Sequence, residues 1–373
     1  MLTKKDDRSG RAWILGGLVL LLLLFLFVSQ FIMGVKKHDR DLETIWGEII
    51  ADPSPIVIEV VKSPIMERLK EVDQSGPPRY FGPRLPRFSR FEHCIGVLAI
   101  VKKAEAGIKE QVASLLHDAS HTVFSHVSNY LFVNEDINKY IKYSYQEAGH
   151  IDYLKQTNII QLIGRHGFTI SDLDVRNVLY TAFNSKNNIG ADEIHYNIHT
   201  AVLFGIFSKN EAREIVDGLK FEGGKWYFLS RDLAKKFAEA SVYLTKNFWG
   251  ARWNTSMNIH LAKALERALE IKLIRHRDLY STDTYVMKKL VKNQDHVIQM
   301  MLQQCRQPID RISGQRYKME KFRPKFCGVD PFIFESGEFK KLSELDSLFK
   351  KYYTEVKKWC DTGYDVDILQ IPN

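Results

Sequence analysis

Apolar and polar positions alternate along most of this chain with the period of a helix. In VVKSPIMERLKEV, Ile65, Leu69 and Val72 recur at spacings of four and three and mark one helical face. The stretch from Arg90 to Ala104 reads as a helix. So does Ile108 to about Leu116, with Val112, Leu115 and Leu116 facing inward. Further helices are expected at 210–218, 231–247, 257–275, 283–304 and 341–359. The last carries an amphipathic face of Leu342, Leu345, Leu348, Tyr352 and Val356, suited to ordinary packing or to a partner subunit in a homo-oligomer. GPPRYFGPRLPRFSR (76–90) is a loop rich in Gly and Pro. Only KFEGGKWYFLS (220–230) has the pattern of a hairpin, turning through Gly223 and Gly224. The patterning therefore predicts an all-α fold, a multi-helix bundle with one small β-hairpin.

One segment breaks the pattern. Trp13 to Gly34 is 22 residues without a charge, with Leu at positions 20 to 24. As a helix it would span about 33 Å, the thickness of a bilayer's hydrocarbon. It outruns a signal-peptide core and no A-x-A-like site follows it, so an uncleaved N-terminal transmembrane helix is expected. The resulting division is a basic tail (1–12), an anchor in the lipid bilayer (13–34), a Pro-interrupted juxtamembrane linker (35–56), a main domain (57–300), and a basic segment with a C-terminal helical region (301–373). Lys and Arg number four before the anchor and three after it, a count that places the N-terminus inside. The chemistry of the main domain instead favours its facing the cytosol.

Composition narrows the classes. The chain has 373 residues, 45% apolar and 26% charged, with 12 His and 4 Cys. That excludes a disordered protein, a collagen-like repeat and a disulfide-framed miniprotein. The net charge of +8 is too mild to argue nucleic-acid binding by itself. The histidines are more informative, because eight of the 12 fall between 93 and 199.

His93 lies in RFEHCIGV. LLHDASHTVFSH follows with His117, Asp118, His121 and His126, and IGADEIHY holds Asp192. Imidazole nitrogen and carboxylate oxygen together suit a hard or borderline divalent ion, with Mn, Fe, Co, Mg and Zn all candidates. His117 and Asp118 reach one ion if they stand at a helix end, with His93 and Asp192 arriving from neighbouring helices. Such a site leaves positions open for water and a phosphate oxygen. A single histidine on a helix is ordinarily structural. What singles out this region is the ordered set of RFEH, an apolar helix, LLHD, S-H-x-x-F-S-H and a distant D-E-x-x-Y.

This order resembles the HD-domain metal-dependent phosphohydrolase superfamily. Within it the chain is most similar to deoxynucleoside triphosphate triphosphohydrolases, including the bacterial dGTP-hydrolysing enzymes and the mammalian SAM-and-HD-domain enzyme. The likeness runs from about Ser63 to Leu203, more weakly to about 300. It rests on RFEHCIGV and HDASHTVFSH beside the family's RFEHSLGV and HDxGHxPFSH. The resemblance implies an HD-domain bundle and hydrolysis of a deoxynucleoside triphosphate to nucleoside and triphosphate, or of another nucleotide or phosphate ester. It implies metal ligation by His93, His117, Asp118 and Asp192. It places Gln74 of DQSG on the substrate sugar, Arg90 on phosphate, Tyr196 against the deoxyribose, and His260 of MNIHLAK at a nucleotide contact. His121 and His126 match histidines near the phosphates, and Glu147 of YQEAGH matches an acidic residue that positions a catalytic histidine.

The departures carry their own information. Gln146 stands where that histidine is expected and cannot exchange a proton at neutral pH. His126 or His150 is then the candidate for proton transfer. Glu193 replaces a lysine after the last metal ligand, and His195 replaces the second aspartate of D-x-x-D-Y. A degenerate HD module that senses nucleotides or scaffolds partners at the membrane is the non-enzymatic alternative. Two arginine-rich regions offer anion contacts. Arg79, Arg84, Arg87 and Arg90 precede the first ligand, and 306–325 carries seven basic against two acidic residues. The second suits an anionic bilayer, a regulatory nucleotide or single-stranded nucleic acid, or is simply a solvated face.

Overall fold

The structure is a computed structural model that describes residues 42–82, 85–131, 145–184 and 189–370. The helices run α1 (Pro55–Val61), α2 (Pro64–Leu69), α3 (Pro78–Phe81), α4 (Arg90–Lys103), α5 (Ile108–Leu116), α6 (Val127–Leu131), α7 (Tyr145–Lys155) and α8 (Ile159–Gly164). They continue with α9 (Ala191–Leu203), α10 (Lys209–Gly218), α11 (Arg231–Leu244), α12 (Arg252–Glu270), α13 (Asp283–Lys292), α14 (His296–Arg306), α15 (Leu342–Leu345) and α16 (Ser347–Thr362).

Helix α4 is the axis of the domain. Ser89 opens it with a capping box: its hydroxyl accepts from Glu92 N at 3.2 Å, and Glu92 Oε2 accepts from Ser89 N at 2.7 Å. Beyond the cap it is buried almost all round, as a helix apolar on every face must be. It packs against α2, α5 and α9. A second apolar cluster joins α6, α12, α13 and α14. The site lies between these two bodies of core.

The expected all-α class is corrected to a mostly helical fold with two small sheets. The hairpin forms as β1 (Leu219–Glu222) and β2 (Lys225–Phe228), with Gly223 and Gly224 both at positive φ as a tight two-residue turn demands. It continues through a parallel contact to β4 (Phe332–Glu335), which turns through Ser336 and Gly337 into β5 (Glu338–Lys341). The second sheet pairs β3 (Tyr317–Phe322) antiparallel with β6 (Tyr364–Leu369). Tyr364, Val366 and Ile368 alternate into the core, and a period of two cannot be satisfied by a helix.

The membrane anchor is also corrected, and with it the single-pass localisation. Among the described residues no helix is long and apolar enough to cross a membrane. Residues 13–34, on which that expectation fell, lie outside the described residues. Within the stretch read as a linker, Leu42, Trp46 and Ile50 are buried in the main core.

Candidate metal centre

Three helix ends converge on one point. His93 stands in the first turn of α4, Asp192 stands in the first turn of α9, and His117 is the residue at which α5 ends, with Asp118 beside it. His93 Nε2 lies 3.1 Å from His117 Nε2, 2.9 Å from Asp192 Oδ1 and 3.7 Å from Asp118 Oδ2. His117 Nε2 lies 3.4 Å from Asp118 Oδ1 and 3.8 Å from Asp192 Oδ1. His93, His117 and Asp118 each offer a ligand atom within 4.8 Å of the others, with Asp192 closing on the two imidazoles.

The hydrogen bonds behind these groups set the ring orientations. His117 Nδ1 donates to Ser114 O at 2.7 Å, which turns a bare Nε2 toward the cluster. His93 Nδ1 meets His195 Nδ1 at 2.8 Å. With His93 as the donor, its own Nε2 is also a lone pair. Two imidazole lone pairs facing one another between two carboxylates repel unless a cation stands among them. The donor set therefore fits a divalent ion.

Arg90 completes the floor. It is buried, and its guanidinium donates to Asp118 Oδ2 at 2.5 Å and to Ser125 Oγ. Burial works to raise the Asp118 carboxyl, but Arg90, His117 and His121 outweigh it and hold it well below the usual carboxylate range. Burial also opposes Asp192, and His93, its Nε2 2.9 Å away, prevails there together with His117, lowering it. Burial, with Arg90 beside it, pushes His121 down to about 4.

Above this floor opens a cavity of about 680 Å³. Its wall includes Gln74, Arg90, His121, His126, Glu147, His150 and Tyr196, together with His117, Asp118 and Asp192. His93 sits fully buried beneath. His260 stands apart from the wall. Its Nδ1 donates to Ser256 O at 2.7 Å and its Nε2 accepts from Leu369 N at 3.0 Å, so both ring nitrogens serve the packing of α12 on β6.

Of the two candidates for proton transfer, His126 and His150, the second has one ring nitrogen held and one unpartnered among the described residues. Its Nδ1 is held by Ser120 Oγ at 3.0 Å, whose proton goes to the Gln146 carbonyl, also at 3.0 Å. Its Nε2 has no partner among the described residues. Burial, followed by the nearby His117, pushes His150 down to about 4, so it presents a lone pair. Glu193 turns back to accept from Gly190 N at 3.0 Å and so caps α9.

Sequence patterns did not single out several members of this site. Gly96 leaves the space that His195 occupies: a Cβ there would lie 1.8 Å from His195 Nε2. Glu110 accepts from Ala182 N at 2.8 Å and Phe183 N at 2.9 Å, which seats the Phe183 ring 5.3 Å from that of His117. Trp249 ends a π-helical turn (Thr245–Trp249) and meets Tyr196 edge-on at 5.1 Å, forming an aromatic wall. Lys325 and Cys327 also reach the cavity. A π turn leaves no signature in hydropathy, and the other contacts join residues far apart in sequence. In the 306–325 segment, Arg311 pairs with Asp367 at 2.5 Å and Lys318 with Glu320 at 2.8 Å, which consumes part of its charge.

Comparison with known proteins agrees with this geometry. A family model described as the HD domain matches residues 90–182. The metal-dependent phosphohydrolase cns2 of Cordyceps militaris is 31% identical over 336 residues, which is 85% of this chain and 91% of that protein. An uncharacterized protein of Bacillus subtilis, YdhJ, is 27% identical over 317 residues, covering 84% of this chain and 95% of its own length. Among solved structures, a phosphohydrolase from Bacteroides thetaiotaomicron superposes with a TM-score of 0.64 at 15% identity, over 88% of this chain and 98% of the other. A hypothetical protein from Aquifex aeolicus superposes with a TM-score of 0.57 at 16% identity, over 82% and 95%. At those identities the two structures speak for the fold alone. The matched HD segment holds His93, His117 and Asp118, and the similarity to the Cordyceps enzyme runs far beyond it; this chain belongs to the HD-domain metal-dependent phosphohydrolases.

Proposed function

We propose that this protein hydrolyses a nucleotide phosphate ester that presents a single phosphoryl group to the metal centre. The observation that carries this reading is the composition of the cavity. Its described wall holds three fixed cations, Arg90, Arg176 and Lys325, against five carboxylates, Asp118, Glu147, Asp174, Asp192 and Glu193. A bound divalent ion brings that balance to zero. One phosphate, of roughly −1.5 to −2 charge, can then be held by the metal and Arg90. A triphosphate brings far more charge, and the lysine expected to meet it is replaced by Glu193. The aromatic wall of Tyr196 and Trp249 supports a flat organic group such as a nucleoside.

His93, His117, Asp118 and Asp192 would hold the ion, which supplies Lewis-acid polarisation of the phosphate and an acidified water. Arg90 would orient the phosphate, because Asp118 and Ser125 fix two of its nitrogens while its Nε has no partner among the described residues. Gln74 Oε1, also without such a partner, would accept from a substrate hydroxyl. His150 Nε2 would accept the proton of the attacking water, with Ser120 steadying the ring. His121, His126 and Glu147 line the same wall and would shape its hydrogen bonding.

A second reading, release of triphosphate from a deoxynucleoside triphosphate, is favoured by the motif order itself and by Gln74 and Tyr196 lying in one wall. The two separate by product. The full chain is incubated with Mn, Fe, Co, Mg and Zn in turn, against nucleoside mono- and triphosphates in ribo and deoxy forms. Orthophosphate from a monophosphate is the expected result, and triphosphate from a deoxynucleotide would establish the second reading. No release from any substrate with any metal would leave neither standing. EDTA is expected to stop turnover, and readdition of the active ion to restore it. His150→Ala is expected to lower kcat about 100-fold while metal content stays unchanged. Undiminished turnover would remove His150 from the reaction.

A further inference from the structure

Asp283 is a fully buried carboxylate at the start of α13, far in sequence from every residue of the site. Oδ1 accepts from Phe124 N at 2.7 Å and Oδ2 from Asp73 N at 3.0 Å. Those two backbone groups belong to the two loops that carry the phosphate-facing side chains. Asp73 precedes Gln74. Phe124 precedes Ser125, which receives Arg90 and in turn donates to Gln74 O at 3.0 Å.

The geometry of the second loop is costly. Phe124 and Ser125 both hold positive φ, +59° and +62°, in succession. Side chains with a Cβ disfavour that region, so two such residues in succession persist only where their surroundings impose it. Gly76 lies so close that a Cβ on it would sit 2.6 Å from Phe124 O. The buried carboxylate is costly too, since burial pushes its pKa up to about 7. Strain and a desolvated acid on one short path to Arg90 are a poor way to gain stability and an effective way to fix geometry.

We propose that Asp283 is a positioning residue for phosphate binding: by holding Asp73 N and Phe124 N together, it locks Ser125 and thereby the guanidinium of Arg90 over the metal centre. The assignment rests on the reading of the site as a phosphate-ester centre. It touches neither metal nor substrate.

The test uses full-length protein loaded with manganese, with inorganic phosphate as the probe. Asp283→Ala is expected to weaken phosphate binding about tenfold, because a misplacement of an ångström is felt strongly in such sites. Manganese affinity should stay within about twofold, since the four ligands come from other elements. Val286→Ala, which truncates a buried side chain on the same helix, is the matched control. It should lose comparable stability and bind phosphate as the wild type does. Asp283→Asn keeps one acceptor and should give a smaller loss, so it decides the matter if the alanine variant does not fold. Wild-type phosphate affinity in a folded Asp283 variant would overturn the proposal, as would an equal loss in Val286→Ala. If the wild type hydrolyses no ester yet binds phosphate in an Asp283-dependent way, the reading of the site as hydrolytic fails and the positioning role stands.

Discussion

His117→Ala is expected to empty the metal centre and to lower kcat/KM by about 10³-fold or more, roughly 4 kcal/mol of transition-state stabilisation. The ring supplies an Nε2 lone pair held in place by the Ser114 carbonyl and 3.1 Å from His93 Nε2. Without it, His93, Asp118 and Asp192 remain as a more open set, and the two carboxylates lose a neighbour that lowers both. Metal analysis of the purified variant should find well under one ion per chain where the wild type holds one. His117 is a better choice for this experiment than Asp118. Removing the Asp118 carboxylate would leave Arg90 buried without its charge partner, which typically costs about 3–5 kcal/mol and confounds function with folding. His117 ends its helix and its side chain gives up only one bond to the backbone, to the Ser114 carbonyl, so the alanine variant should keep its fold, checked by an unchanged circular dichroism spectrum. Full metal occupancy in this variant would mean that the ion sits elsewhere.

The parts of this molecule that could be read from the chain are those in which neighbours in sequence are neighbours in function. His117 and Asp118 are adjacent, and the Ser89 and Glu92 cap lies directly before His93, so one helix start and one helix end carry much of the centre. Hydropathy found many of the helices but neither Tyr145–Lys155 nor Ile159–Gly164, and it missed the interruptions. The stretch expected as one helix over 283–304 is broken, because Asp295 turns back to cap α14 by accepting from Ile298 N at 3.1 Å. The helix expected over 341–359 breaks in the same way at Asp346, which accepts from Phe349 N at 2.9 Å. The alternation of YDVDIL was available as a strand signal in the C-terminal region, but its partner β3, YKMEKF, mixes charged and apolar side chains on both faces and gives none. The apolar run at 13–34 shows how hydropathy alone predicts an anchor that the described helices do not support. Contacts such as Gly96 with His195, or Asp283 with Phe124, exist only after folding and leave no local pattern.

Gly96→Ala should be among the most damaging single-methyl additions in the protein. A Cβ at that position would lie 1.8 Å from His195 Nε2 and 2.0 Å from its Cδ2, so the ring must leave. It has nowhere to go: Trp46, Phe88 and His199 surround it at ring separations of 5.8, 6.0 and 5.2 Å. Moving it also breaks the 2.8 Å contact that fixes the His93 ring. Overpacking of this kind costs about 3 kcal/mol or more, a fall in Tm of roughly 5–10 °C. Loss of the orienting bond should weaken metal binding about 10–100-fold. His195→Ala alone should show the loss of metal affinity with a smaller loss of stability. Placed in the Gly96→Ala background, it should recover much of the stability, since the methyl then enters the space the ring vacates. A double-mutant cycle on Tm and metal affinity therefore separates the two roles: a coupling of about 2 kcal/mol in stability is expected, with no recovery of metal affinity. Additive effects on stability would show that the ring has another seat. Undiminished metal affinity in His195→Ala would show that His93 is oriented by its helix and not by its neighbour.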